Sequence, residues 1–308
     1  MSKISAIGDI NVDIISPVSR LPRRGKQVVV SDIQVHGGGC AANFAFACAK
    51  LGVDVKLFGR VGDDIFGEYV MDLLKNGGVD VSGVKISRRT GATIALVQGV
   101  ERSFISYRGE NAEFSLKDFN LGEVEGDLVH LPSFFLLEKM QPYYSEILEN
   151  IDVEKSFDTG WDPGGWKSEK IEKVRSLLPK VDLFFPNLSE AEKIMGVKGP
   201  LSRSEEEKLA LRYLDMGVKV VVITMGERGC IVASNGGVMR VPAYEVEAVD
   251  TTGAGDVFNA GFVVGYLKGE DLKTCAEFGS AAAAISVTGF GWSRYPTFSE
   301  VESFLSSR

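Results

Sequence analysis

From its first residues the chain swings between short apolar runs and longer stretches with helical spacing. Ile4 to Ile10 is a short apolar run reaching Gly8-Asp9, which predicts a buried first strand. Residues 16–26 are polar and marked by Pro and Gly, and Gln27 to Val35 is rich in β-formers. Gly37-Gly38-Gly39 opens an alanine-rich helical pattern from Ala41 to Leu51, closed by Gly52. Val53–Phe58 predicts the next strand and Ile65–Asn76 the next helix, stopped by Gly77-Gly78. Strand, helix and strand in succession point to parallel βαβ units.

Residues 79–110 break this rhythm, with short β-type runs at Thr93–Gln98 and Ser103–Tyr107 and no long helix. With Gln27–Val35 they are expected to form a small separate sheet. Further on the alternation returns, with strands predicted at 127–131, 154–158, 182–185 and 218–224 and a strand pair at 230–233 and 238–242. Helices are predicted at 254–268, 271–287 and 298–307. No repeat, linker or low-complexity tract interrupts the chain. The expected fold is α/β: one doubly wound, mostly parallel sheet flanked by helices, a single domain over 1–308, with a small β insertion from two separate stretches.

Composition adds exclusions. Net charge is −8, which argues against nucleic acid or an anionic membrane as partner. Cys40, Cys48, Cys230 and Cys275 form no CxxC pair, and His36 and His130 are the only histidines, so neither a zinc site nor a disulfide framework is expected. No apolar run reaches the ~20 residues of a membrane span. Met-Ser-Lys leads into the first strand without the apolar core of a signal peptide, and a cytoplasmic location is expected.

The strongest candidate chemistry is Asp250-Thr251-Thr252-Gly253-Ala254-Gly255-Asp256. Small residues open a helix there, and its free N–H groups and dipole make an anion site. A first-turn acid beside a bound phosphoryl is the arrangement that transfer to a hydroxyl needs; the plain alternative is a Gly-rich turn with a helix-stabilising aspartate. No GxxxxGK[ST] occurs, the nearest string being Gly62-DDIF-Gly67-Glu68, nor a protein-kinase HRD…DFG set, nor a G-x-G-x-x-G after the first strand. The last absence excludes a familiar NAD-binding oxidoreductase. Gly38-Gly39-Cys40-Ala41-Ala42-Asn43 opens a second helix, and Asn11 and Asp13 follow the first strand, where ligands of open α/β sheets collect. Such carboxylate and carboxamide groups suit a polyhydroxylated ligand, or serve only capping and packing. Asn187 and Glu190 lie three apart, a spacing that suits Mg²⁺ through water and equally a capping box. Thr224, Gly226 and Gly229 end an apolar strand in a turn that either approaches a nucleotide or merely reverses the chain.

Together and in this order, these residues resemble the ribokinase-like carbohydrate kinase family of phosphofructokinase-B type, over essentially the whole chain. One signature runs from Gly38-Gly39 through Asn43, Ala47 and Leu51-Gly52 to Phe58-Gly59-Arg60-Val61-Gly62-Asp63-Asp64 and Gly67; the other is Asp250–Asp256 with Phe258 and Gly261. The resemblance implies transfer of the terminal phosphoryl of ATP, with ADP as an alternative donor, to a hydroxyl of a sugar or sugar derivative. It implies Asp256 as general base, with Gly253, Ala254 and Gly255 as anion hole. Asn11, Asp13, Gly39 and Asn43 would contact the sugar. Asn187, Thr224, Gly226 and Gly229, with Gly253 and Gly255, would contact the nucleotide. Glu190 would hold Mg²⁺ through water, and Asp250 and Thr252 match positions that bind K⁺ in some members. Residues of about 12–36 and 88–110 would form a lid that covers the sugar and builds a homodimer. Arg102 and Arg108 lie in that lid, where they could reach an acidic acceptor or stay solvated.

Departures from the family pattern bear on the acceptor. Leu128-Val-His-Leu131-Pro-Ser133 lacks the carboxylate of ribokinase proper, and Asp158–Trp166 lacks the arginine of many fructokinases. A nucleoside kinase of the same family is the nearest alternative, with Phe104, Tyr107, Phe134 and Trp161 available to line its pocket. A non-catalytic sugar or nucleotide sensor is the alternative of another class.

Overall fold

The structure, a computed structural model, describes residues 2–98 and 101–308; the side chain of Arg102 lies outside the described residues, and with it the expectation for that arginine. In chain order the strands are β1 (Lys3–Ile7), β2 (Asn11–Pro17), β3 (Gln34–Gly38), β4 (Asp54–Gly62), β5 (Asp80–Ser87), β6 (Gly91–Gln98), β7 (Glu101–Tyr107), β8 (Leu128–Leu131), β9 (Glu154–Phe157), β10 (Leu183–Phe184), β11 (Val220–Thr224), β12 (Cys230–Ser234) and β13 (Gly237–Val241). The helices are α1 (Cys40–Lys50), α2 (Ile65–Asn76), α3 (Tyr144–Asn150), α4 (Ser168–Leu177), α5 (Leu188–Met195), α6 (Arg203–Leu214), α7 (Ala254–Leu267), α8 (Leu272–Ser286) and α9 (Phe298–Ser306).

Among the described residues the strands form a nine-stranded sheet, β13-β12-β11-β10-β9-β8-β1-β4-β5, and a four-stranded sheet, β3-β2-β6-β7. The large sheet is parallel from β5 to β11 and closes with an antiparallel edge, β11 to β13. Its inner strands are buried on both faces, so alternate residues feed two cores. Ile4, Ala6, Val220 and Val222 pack with α1, α7 and α8. Ile7, Val221 and Ile223 pack with α3 to α6 on the opposite face. That division is why the strands read as near-continuous apolar runs.

Strand order reverses at β1, which lies between β8 and β4. Ligands of doubly wound sheets bind outside the strand carboxyl ends at such a reversal. Three expectations need correction. The run from Ile4 ends at Ile7, and a separate strand β2 begins at Asn11, because the chain leaves the large sheet at Gly8-Asp9 and enters the small one. Residues 27–33 form no strand, and β3 starts at Gln34. Moreover β5, within the stretch expected to be separate, pairs with β4 in the large sheet, so only β6 and β7 of that stretch join the small one.

Candidate active site

Gly253 caps the start of helix α7, and its φ of 74° is open to glycine and strained for other residues. A Cβ there would lie 2.3 Å from the Tyr295 hydroxyl. Ala254 and Gly255 follow, and a Cβ on Gly255 would meet nothing within 4 Å, so its backbone borders open space. Asp256 stands in this first turn, 7% exposed. A cleft of ≈ 220 Å³ is lined here by Gly253 to Asp256, Thr251, Cys40, Asp158, Gly160, Trp161, Phe185, Asn187, Glu190, Thr224 and Asn259. Ala254 N donates to the Thr251 carbonyl at 3.3 Å, so of the three expected anion-hole residues Gly253 and Gly255 are the ones whose N–H groups this helix start offers to an anion in the cleft.

Asp256 Oδ2 accepts a hydrogen bond from Asn43 Nδ2 at 2.8 Å, across 213 residues of sequence. Asn43 Oδ1 in turn accepts from Trp292 Nε1 at 2.7 Å. Burial drives the Asp256 carboxyl well above the ordinary range; the Asn43 bond opposes this, and the charges of Asp158 and Asp9 add to it. A carboxyl raised in this way is, once ionised, a stronger proton acceptor than an exposed aspartate.

The carboxyl ends of β9, β10 and β11 supply the opposite wall. Asp158 accepts from Gly160 N at 2.8 Å and from Asn259 Nδ2 at 2.9 Å. Asn187 caps α5, and Glu190 returns the bond to Asn187 N, each at 3.0 Å. Both sequence readings of the Asn187/Glu190 pair therefore share one geometry: the capping box forms, and both side chains still line the cleft. Burial, with the Asp158 charge beside it, pushes the Glu190 carboxyl up, and burial raises Asp158 too. Buried carboxylates crowded in this way suit a divalent cation that relieves the repulsion, while no three His, Cys, Asp or Glu among the described residues gather into a metal group. Mg²⁺ carried partly by phosphate and water fits that set. Gly226 and Gly229 are not among the cleft-lining residues. Gly229 is demanded by packing, since a Cβ there would lie 2.0 Å from the Val241 carbonyl oxygen.

The remaining candidates lie at the strand reversal. Asp13 is buried against Gly38, where a Cβ would come within 2.3 Å of its carboxyl. Burial, then the charges of Asp9 and Asp250, push Asp13 up to about 7. Asn111 Nδ2 donates to Asn11 Oδ1 at 2.8 Å and to the Ile10 carbonyl at 2.9 Å, which leaves the Asn11 Nδ2 group to act as donor. Gly39 adopts φ 90°, with Asp9 O only 2.6 Å from where its Cβ would stand. Arg108 is half-buried; burial lowers its pKa and the charges of Asp9 and Glu138 oppose this. Asp250 Oδ1 accepts from Thr252 N at 3.0 Å and Thr252 Oγ1 at 2.7 Å. Among the named aromatics only Trp161 lines the cleft; Phe134 packs edge-on against Phe135, Tyr144 and Phe157 in the core.

Sequence reasoning passed over Asp9, Asn111, Asn259 and Trp292. Asp9 carried a usable signal, an acid at the carboxyl end of an apolar strand; it accepts from Ser133 Oγ at 2.7 Å, at the strand reversal itself. The other three act across 100 to 249 residues, and nothing local marks them.

The model of the pfkB family carbohydrate kinases matches residues 1–297. A ribokinase of Haemophilus influenzae is 30% identical, with 98% of each chain covered. A nucleoside kinase of Methanothermobacter thermautotrophicus is 30% identical over 93% of this chain and 89% of its own. The solved structure of Arabidopsis thaliana ribokinase, complexed with ribose and ATP, superposes with a TM-score of 0.82 at 24% identity, covering 99% and 98% of the two chains. The chain shares the ribokinase-like fold, is an enzyme, and belongs to the pfkB family of carbohydrate kinases.

Proposed function

We propose that this kinase transfers the terminal phosphoryl of ATP to a hydroxyl of a sugar or sugar derivative, with Asp256 as general base. One observation carries the reading: Asp256 sits in the first turn of α7, beside the N–H groups of Gly253 and Gly255, in a cleft that also holds Asn187, Glu190 and Thr224. As the acceptor oxygen forms its bond to the terminal phosphorus, its proton passes to Asp256 and the bridging P–O bond breaks to release ADP. The helix start stabilises charge on the transferred group, and Asn187 and Thr224 border the phosphates. Glu190 would hold Mg²⁺ through water, and the ion would supply positive charge against the phosphates. Asn11, as donor, and Asp13, as acceptor, orient the sugar hydroxyls, with Gly39, Asn43 and Arg108 around them.

The small sheet acts as the lid, with β2 and β3 from one stretch and β6 and β7 from the other. Phe104, Ile105 and Tyr107 are 55%, 63% and 55% exposed on β7, and we assign them to a homodimer contact. Asp250 and Thr252 would hold K⁺; equal rates across K⁺ and Na⁺ titrations would remove that role. A nucleoside acceptor is the second reading, favoured by Trp161, 52% exposed at the cleft. A coupled assay across pentoses, hexoses, sugar phosphates, polyols and nucleosides, run with ATP and with ADP, tests both. Turnover confined to one class with ATP is expected; turnover with none of them contradicts the proposal.

A further inference from the structure

The hydrogen bonds behind Asp256 run in one direction only. An indole N–H donates and cannot accept. Trp292 Nε1 lies 2.7 Å from Asn43 Oδ1, so the Asn43 carboxamide turns its oxygen to the indole. Its nitrogen is then left for Asp256 Oδ2, at 2.8 Å. Half a turn of the amide would set oxygen against carboxylate and N–H against N–H, losing both bonds. The indole is itself held in place. It stacks on Phe46 with centroids 4.4 Å apart and rings 16° from parallel. Gly37 of β3 admits it, since a Cβ there would lie 2.4 Å from the indole ring. Trp292 is 5% exposed, which shelters the bond from water.

We propose that Trp292 is a positioning residue for phosphoryl transfer: by fixing the Asn43 amide, it keeps a donor on Asp256 and holds that side chain as the carboxylate base. The inference rests on the reading of Asp256 as general base. Asp256 is faced by Asn43 and the Cys40 thiol from α1, by Asp158 after β9, by Asp9 after β1 and by Tyr295 from the C-terminal loop. Burial and the two aspartates favour the neutral acid, and the Asn43 and Cys40 donors oppose them. An amide free to flip weakens that opposition, so the acid limb of the rate profile moves to higher pH.

Trp292→Phe removes the N–H and keeps a ring against Phe46. Its kcat near pH 7 is expected to fall roughly tenfold, with acceptor KM within about twofold, and the deficit to narrow as the pH is raised. Site-specific β-(3-benzothienyl)alanine at 292, with sulfur in place of N–H, preserves the indole outline should Phe loosen the loop. It is expected to lower Tm by only about a few degrees, from the one lost bond, and still show the pH-dependent deficit. A benzothienyl protein with the wild-type profile, or with a deficit constant across pH, overturns the proposal. Asp256→Asn measured alongside separates the two claims. If it is nearly inactive while the benzothienyl protein behaves as wild type, only the role of Trp292 falls. If Asp256→Asn stays active, the base assignment falls and takes this inference with it.

Discussion

Asp13 is an acid held where its charge is costly. An unfolded aspartate titrates at 3.8, whereas burial and the neighbouring Asp9 and Asp250 move Asp13 to about 7 in the fold. Folding therefore takes up a proton between those values, and the stability linked to Asp13 is greatest below the lower one and lost as pH climbs through the upper. Asp13→Asn should raise Tm by about 3 °C at pH 8 and much less at pH 5. It should also raise the acceptor KM by roughly tenfold, since an amide replaces a carboxylate as hydroxyl acceptor. Thermal melts at both pH values, with kinetics on one preparation, check the trade; equal melts at pH 8 would show that Asp13 is not strained by its setting. The residue types of this site were legible from sequence. Their partners were not: Asn43 meets Trp292 across 249 positions, and no local pattern encodes such a pairing.

At the scale of elements, α7 separates glycine for shape from glycine for function. Gly253 needs its φ of 74° and lies against Tyr295, so Gly253→Ala should cost stability as well as rate. Gly255 is helical and a Cβ would face open space, so Gly255→Ala should leave Tm unchanged or slightly higher while kcat falls at least roughly tenfold. Calorimetry and steady-state kinetics on the two variants check this, and a stable Gly255→Ala enzyme of full activity would remove the anion hole from the account. Helices were the elements read best: Ile65–Asn76 and the last three helices came out within a residue or so, because glycines and caps punctuate them. The strands near the small sheet were read less well. Only three residues separate β1 from β2, so two strands of different sheets merged into one apolar run. β5 carries partly exposed residues at the edge of the large sheet and lost its identity beside β6.

For the whole molecule, the parallel sheet does two jobs. Its two buried faces supply the cores, and its carboxyl ends deliver Asp9, Asp158, Asn187 and Thr224 to one side, where α7 brings Asp256 to meet them. Doubly wound topology was legible because buried parallel strands and their helices differ so plainly in period. The acceptor was not, since Asn11, Asp13 and Arg108 say only that hydroxyls and charge are recognised. The central claim is that Asp256 takes the acceptor proton. Its most direct test is kcat for Asp256→Asn on the acceptor found by the substrate panel, with ATP binding measured by calorimetry on the same protein. A fall in kcat of at least ~10², with nucleotide and acceptor still bound, is the expected result. A variant that binds both and turns over near the wild-type rate would contradict it.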